Sequence, residues 1–294
     1  MGQLSRELLA EIRRIEIITR RLVNQQMAGH YHSVFKGRGM SFDEVREYLP
    51  GDDPRTIDWN VTARTGDTYV KTYVEERELT VMIMVDMSGS MAFGTVRDEK
   101  RVVAARLAAM MAFSAISNGD RVGLIAFTDE VECYVPPKKG RKHVLRIIDE
   151  ILRFDPAGAG TDINQALEFV GRVNKRKAVI FLISDFLDDD YERALHVTAR
   201  RHDLIPLSIV DPAEDVIGQL GLVLLEDPET GNRHVLDTGR LSVRHAFESR
   251  QAKSKTERDQ TFHRYGISPI EVRTDAKDYA APLVNYFRIR ARRA

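Results

Sequence analysis

The chain has 294 residues, of which 43% are hydrophobic and 30% are charged, so it can bury an ordinary core and is not disordered throughout. Its 44 basic and 44 acidic side chains cancel, and this balance gives no reason to expect binding to nucleic acid or to an anionic membrane. The single cysteine, Cys133, excludes an intramolecular disulfide and any zinc site built from several thiolates.

Membrane association is not indicated by the apolar runs of the chain. The longest runs, Val81–Val85 and Ala178–Ile183, fall far short of the roughly 18–20 apolar residues that cross a bilayer. The N-terminal residues are charged throughout and lack the apolar block of a signal peptide. We therefore expect a cytoplasmic protein without a membrane span.

The first 78 residues are predicted to form a separate N-terminal part. Apolar residues recur at helical spacing between Leu4 and Met27, which predicts an amphipathic helix that packs on its own domain. Residues 29–78 follow an irregular pattern with many Gly and Pro residues, but they also carry enough aromatic and β-branched side chains to bury. We expect them to form an ordered layer that contains strands.

From residue 79 onward, apolar strands alternate with amphipathic helices. This alternation predicts an α/β fold with a doubly wound, mostly parallel sheet covered on both faces. The predicted strands are 80–86, 121–128, 130–136, 178–185 and 204–211, and the predicted helices are 99–117, 141–154, 162–174 and 191–201.

The C-terminal part contains a predicted hairpin at 221–237 and a polar helix at 242–265. A strand at 268–273 and a helix at 279–290 follow, and this pair is typical of the end of such a sheet domain. We therefore assign residues 79–294 to one domain, and we interpret about 218–266 as an insertion of the hairpin and the polar helix before the last strand.

Oxygen-bearing side chains follow two of the predicted strands. Asp86 and Asp185 end apolar strands, and ligand sites of open α/β sheets lie just beyond the carboxyl ends of strands. Ser88 and Ser90 come at alternate positions after Asp86, and Thr161 lies in the glycine-rich loop GAGTD. A more ordinary interpretation makes the two serines helix caps and Asp86 a turn former.

These five side chains offer only oxygen donors, which suits a hard divalent cation. Mg²⁺ prefers near-octahedral oxygen coordination, and Mn²⁺ or Ca²⁺ are alternatives. Because the hydroxyls are neutral, they leave much of the ion's charge uncancelled. This set therefore favours a site that captures an acidic residue of a protein partner.

The order DxSxS, then a single Thr, then an Asp at a strand end resembles the metal-ion-dependent adhesion site of von Willebrand factor A domains. The resemblance covers Asp86, Ser88, Ser90, Thr161 and Asp185. It implies a von Willebrand factor A-like, Rossmann-type sheet. It also implies that the two serines and the threonine bind the ion directly, while the aspartates act through water or orient the hydroxyls.

The segment from Gly37 to Glu78 resembles the signature of the bacterial domain-of-unknown-function 58 family. It reads GRGMSFDEVREYLPGDDPRTIDWNVTARTGDTYVKTYVEERE. The resemblance implies a MoxR-type AAA+ ATPase as partner, because such ATPases are typical genomic neighbours of this family. Two interpretations of the segment remain open. Arg–Asp pairs and a buried Trp59 could join the layer to the sheet, or the layer could be a docking surface.

The sequence and the two resemblances together predict a non-enzymatic, metal-dependent interaction module that acts as an adaptor for a MoxR-type AAA+ ATPase in protein remodelling or complex maturation. The chain has no GxxxxGK[ST] loop with which to bind ATP itself. The alternative is a metal-assisted hydrolase or phosphotransferase that uses the same strand ends. That alternative lacks a visible general base, since Ser88 stands two residues after Asp86, where aspartyl-phosphate phosphatases usually carry an Asp as acid/base.

Overall fold

A computed structural model of the chain describes residues 17, 31, 41–74, 78–95 and 98–292. The helix predicted between Leu4 and Met27 lies outside the described residues, apart from Ile17, which is helical and exposed. One compact unit lies within Phe35–Leu79, and the residues from Thr80 onward belong to a second. We describe the two units separately.

The first unit is built on an antiparallel strand pair. The sequence predicted a layer that contains strands in this segment. Its elements are strand β1 (Ser41–Glu47), a 3₁₀ turn (Pro54–Thr56), helix α1 (Trp59–Thr65) and strand β2 (Tyr69–Val74). Helix α1 begins where the carboxylate of Asp58 accepts hydrogen bonds from the first backbone N–H groups, and it ends at Gly66, whose φ of +86° favours glycine.

One Arg–Asp pair of the family signature is local to this unit, whereas its tryptophan is not buried. The two guanidinium nitrogens of Arg46 donate to the two carboxylate oxygens of Asp52 at 2.8 and 2.7 Å, which fixes the turn that follows β1. Trp59 is 69% exposed, so the interpretation that buries its side chain is wrong. Trp59 is the first residue of α1, directly after the cap, and it faces solvent there.

The second unit contains the sheet. Its strands are, in chain order, β3 (Thr80–Asp86), β4 (Arg121–Phe127), β5 (Val131–Lys138), β6 (Val179–Ser184), β7 (Asp203–Val210), β8 (Leu222–Glu226), β9 (Arg233–Asp237) and β10 (Ile270–Arg273). Within the described residues, the main sheet has the order β10-β7-β6-β3-β4-β5. Only its edge strand β5 is antiparallel to its neighbour, so the predicted mostly parallel sheet is confirmed.

The helices of the second unit are α2 (Lys100–Ser117), α3 (Arg141–Arg153), α4 (Ile163–Val173), α5 (Glu192–Arg201), the single turn α6 (Pro212–Asp215), α7 (Leu241–Arg264) and α8 (Ala280–Ala291). The β8–β9 hairpin and α7 come between β7 and β10, which are paired in parallel, so the predicted insertion is confirmed. No helix in the described ranges has both the length and the apolar character that a bilayer span needs.

The burial of strand β3 shows that the sheet is covered on both faces. All of its residues from Val81 to Asp86 are buried, because the alternating side chains pack against helices on opposite sides. Met82 and Met84 join a core cluster with residues of α4, α5 and α7. On the other face, the ring centroids of Phe181 in β6 and Phe287 in α8 lie 6.5 Å apart, and the two rings are perpendicular.

Tyr31 is also buried on that face of the sheet. The centroids of its ring and the ring of Phe287 lie 6.1 Å apart in an edge-to-face arrangement. Its hydroxyl donates to a carboxylate oxygen of Asp120 at 3.1 Å. The side chain is buried, and burial together with the negative charge of Asp120 raises the pKa of Tyr31 well above its usual value. This residue from the N-terminal part of the chain therefore belongs to the core of the second unit.

Candidate metal centre

The parallel pairing of β3 and β6 brings the two strand-end aspartates to one edge of the sheet. Val85 lies opposite Ile183 in the register of these strands, so Asp86 is level with Ser184, and Asp185 follows one residue later at the same edge. Both carboxylates are buried, with exposed fractions of 0% and 3%. Burying two acidic side chains so close together costs free energy unless positive charge or hydrogen bonds compensate them.

The serines lie in a short turn directly after β3. The N–H of Ser88 donates to Oδ1 of Asp86 at 3.0 Å, so Asp86 does form the turn. The hydroxyl oxygens of Ser88 and Ser90 are 3.0 Å apart and buried, so both serines present their oxygens to one place. Although Ser88 precedes the 3₁₀ turn Gly89–Ala92, its side chain makes no capping hydrogen bond, which disfavours the interpretation of this residue as a cap.

The loop that carries Thr161 is held against the serine turn from two sides. The N–H of Gly89 donates to the carbonyl oxygen of Ala159 at 2.8 Å, which joins the two loops directly. On the other side, the carboxylate of Glu132 accepts from the N–H of Ala157 at 2.8 Å and from that of Gly158 at 3.3 Å. Glu132 was not singled out from the sequence, because nothing in a strand pattern indicates which distant loop a polar residue will hold.

We expect Glu132→Ala to loosen this loop. The two backbone N–H groups at Ala157 and Gly158 lose their acceptor, so their amide hydrogen exchange should accelerate by about tenfold, which corresponds to roughly 1.4 kcal/mol. The neighbouring exposed residue provides a matched control, since Glu130→Ala should leave the exchange of both amides unchanged. Equal protection in the two variants would show that Glu132 does not position the loop.

The electrostatics of Asp86 favour a positive charge at this edge of the sheet. Burial, followed by the negative charge of Asp185, raises the pKa of Asp86 to about 7. Hydrogen bonds act in the opposite direction, including the bond that the Ser184 hydroxyl donates to Oδ2 of Asp86 at 2.6 Å. A bound cation would supply the compensation that the hydrogen bonds leave incomplete.

A buried lysine already compensates the other aspartate. The ammonium nitrogen of Lys100 lies 2.8 Å from Oδ2 of Asp185, pairs with Glu214 as well, and is fully buried. Burial alone would lower the pKa of Lys100, but the charges of Asp185 and Glu214 outweigh it and raise the pKa. Among the described residues, Asp86 forms no comparable ion pair, so an uncompensated carboxylate remains beside the serine turn.

Lys100 was also missed from the sequence, although a signal was present. It lies three and seven residues before Val103 and Leu107, which are on the buried stripe of α2. A lysine on such a stripe requires an acidic partner, because a buried ammonium without one is costly. The pattern could have predicted a buried ion pair, but it could not have identified Asp185 and Glu214 as its members.

The donor chemistry fits a hard divalent cation held largely by neutral oxygens. Within the described ranges, no group of three or more His, Cys, Asp or Glu side chains is arranged to hold a metal ion. The strand-end set contains only two carboxylates, and its other donors are the hydroxyls of Ser88, Ser90 and Thr161. Mg²⁺ accepts such a set because it commonly keeps several water ligands beside one or two carboxylates.

Comparison with known proteins assigns the chain to a family. The model of the family described as "Protein of unknown function DUF58" matches residues 44–257. The chain belongs to the DUF58 family. It is 31% identical over 293 residues to the uncharacterized protein Rv1480 of Mycobacterium tuberculosis. The match covers 98% of this chain and 91% of that protein. It is 29% identical over 166 residues to the uncharacterized protein MAV169 of Mycobacterium avium. That match covers 54% of this chain and 95% of that protein.

Two solved structures match most of the chain at low sequence identity. The conserved hypothetical protein BatB from Bacteroides thetaiotaomicron is 18% identical with a TM-score of 0.47, and the match covers 74% of this chain and 100% of that chain. The SpRpn10 VWA domain is 12% identical with a TM-score of 0.40, and the match covers 71% of this chain and 95% of that chain.

Proposed function

We propose that this protein is a non-enzymatic interaction module that binds a protein partner through a divalent cation at the strand-end site. The observation that carries the proposal is the convergence of three loops on one edge of the sheet. These loops bring together two buried carboxylates and three hydroxyls, namely Asp86, Ser88, Ser90, Thr161 and Asp185. We assign these residues as the ligands of Mg²⁺, with Mn²⁺ or Ca²⁺ as alternatives.

The ligand set determines the kind of partner. Three of the five donors are neutral, and the ammonium of Lys100 already compensates Asp185. An ion held in this way keeps net positive charge and accepts a further anionic oxygen from outside. An acidic side chain of another protein supplies such an oxygen, and water-ligated Mg²⁺ exchanges a water for it.

We propose a MoxR-type AAA+ ATPase as the partner, with this protein as the adaptor between the ATPase and a client. The family resemblance in the sequence supports this choice, because such ATPases are typical genomic neighbours of the family. The chain carries no phosphate-binding loop of the GxxxxGK[ST] type, so in this proposal the ATPase provides the energy for remodelling.

A second contact surface on the first unit is supported by the exposure of Trp59. An indole that is 69% exposed within a family signature is a costly surface residue, and tryptophan is enriched among the residues that dominate the energetics of protein interfaces. The ATPase could therefore bind the first unit, with the metal site kept for the client.

A quantitative pull-down with the tagged full chain tests these arrangements. The wild-type chain, the Asp86→Ala variant and an exposed control, Asp155→Ala, are incubated with lysate of the source organism with Mg²⁺ or with EDTA, and the MoxR-type ATPase is quantified by mass spectrometry. Loss of the ATPase in Asp86→Ala and in EDTA supports contact through the metal. Retention of the ATPase with loss of other proteins supports contact through the first unit. If no bound protein responds to the variant or to EDTA, the proposal is wrong.

Catalysis by the same site has a separate test. The wild-type chain is assayed with Mg²⁺ against phosphoesters and peptides, and any turnover is compared with that of Asp86→Ala. We expect no turnover, because no general base is assigned at the strand ends. Turnover that Asp86→Ala abolishes would identify a metal-assisted hydrolase instead.

A further inference from the structure

The turn of the β8–β9 hairpin lies directly on the serine turn of the candidate metal centre. A Cβ atom at Gly89 would collide with the backbone carbonyl oxygen of Pro228, so the glycine between the two serines allows the hairpin to approach this closely. The contact is formed by backbone on both sides. The hairpin is therefore seated on the site itself and not on a neighbouring surface.

This seating places a carboxylate of the chain on the hydroxyls of the site. Thr161 donates its hydroxyl hydrogen to Oε1 of Glu229 at 2.8 Å, and the side chain of Ser90 lies beside the same carboxylate. Glu229 thus binds one of the three hydroxyl ligands that we assign and lies beside a second. It is separated from Thr161 by 68 positions in the chain, so the sequence pattern gave no indication of the contact.

The turn is organised to present Glu229 in this position. The carboxylate of Asp227 accepts from the N–H of Glu229 at 3.0 Å and from the hydroxyl of Thr230 at 2.6 Å. The N–H of Asp227 donates to the carbonyl oxygen of Asn232 at 2.8 Å, which closes the turn. These local bonds restrict the turn, so little conformational entropy remains to be lost when Glu229 binds.

The strands behind the turn are held less firmly. Leu222, Leu224 and Val235 lie on one face of the hairpin and are mostly exposed. This face makes little contact with the rest of the unit, so the hairpin depends on its turn and its other face for attachment. It can leave the metal site without uncovering a large part of the core.

We propose that Glu229 is an internal competitor of the partner's acidic residue. In this arrangement, which rests on the proposed function, Glu229 takes the position next to the ion that the proposed function gives to a partner's carboxylate. The partner binds by displacing Glu229, and the hairpin acts as a built-in cover of the site. The competitor is an acidic side chain because the ion accepts an anionic oxygen at that position.

Calorimetric titration of the full chain with Mn²⁺, with and without acetate as a free carboxylate, tests this inference. Glu229→Ala should bind Mn²⁺ about tenfold more weakly than the wild-type chain, because it lacks one anionic oxygen. Acetate should restore part of that loss by filling the vacated position. It should have no effect on the wild-type chain, where Glu229 occupies the position.

Two control variants make the outcomes distinguishable. Glu226→Ala removes an exposed carboxylate of the same hairpin that pairs with Arg233, and it should behave as the wild-type chain does. Asp86→Ala should abolish Mn²⁺ binding in every condition. If Asp86→Ala abolishes binding while Glu229→Ala matches the wild-type chain with and without acetate, the inference is wrong and the proposed site stands. If Asp86→Ala binds Mn²⁺ normally, both are wrong.

Hydrogen exchange gives a second readout that does not depend on a substitution at Glu229. Adding Mg²⁺ to the wild-type chain should slow exchange of the turn amides at Glu229 and Thr230 by several-fold, because the ion fixes the turn to the site. The same addition should have no effect in Asp86→Ala. Exchange that stays unchanged by Mg²⁺ in the wild-type chain would contradict the role of Glu229.

Discussion

Replacing Lys100 by methionine should lower the free energy of unfolding by about 3–5 kcal/mol. Methionine has a similar length and fits a buried position, but it leaves the carboxylates of Asp185 and Glu214 without their cation. Burial of an uncompensated carboxylate is among the most destabilising changes in a protein interior. Chemical denaturation in the absence of divalent ions measures the effect, with the midpoint and the slope fitted together.

Two further variants show whether the loss comes from the ion pair. Lys142→Met removes an exposed ammonium from α3 and should change the free energy of unfolding by less than about 0.5 kcal/mol. The double variant Lys100→Met/Asp185→Asn should be more stable than Lys100→Met alone, because one of the two uncompensated carboxylates has been neutralised. A loss below about 1 kcal/mol in Lys100→Met would mean that the buried pair contributes little.

Replacing Asp86 by alanine should weaken Mg²⁺ binding by at least about a hundredfold, which is more than 2.7 kcal/mol. Asp86 is the carboxylate at this edge that is not paired with Lys100, and it organises the serine turn through the N–H of Ser88. The variant loses an anionic ligand and the orientation of two neutral ones at the same time. Isothermal titration calorimetry with MgCl₂ gives the two affinities.

The fold of the Asp86→Ala variant should be retained, because burial already raises the pKa of this side chain and the charged form contributes little to stability. Far-ultraviolet circular dichroism and thermal unfolding without Mg²⁺ verify this point. Asp155→Ala, an exposed position in the same unit, should bind Mg²⁺ as the wild-type chain does. Equal Mg²⁺ affinity in Asp86→Ala and the wild-type chain would remove the basis for the metal centre.

Much of the fold of the second unit could be predicted from the sequence, because its strands and helices have strong local patterns. Strands buried on both faces require continuous apolar residues, as in β3 and β6, and the alternation of such strands with helices indicated a mostly parallel sheet. The order of the elements also predicted the hairpin and helix inserted before β10. The candidate residues Asp86 and Asp185 were visible because each ends such an apolar run.

Only the tertiary structure decided which side chains meet at the candidate site. Lys100 and Asp185 are 85 positions apart, and Thr161 and Glu229 are 68 positions apart. Periodicity specifies the face on which a side chain lies, but it contains no information about the element that packs against that face. The same limit explains Trp59, which one of the two interpretations buried, whereas its position at the start of a short capped helix leaves it in solvent. Local sequence thus determined the elements and the chemistry at their ends, and the packing of distant segments determined the charge balance at the candidate site and the contact of the hairpin with it.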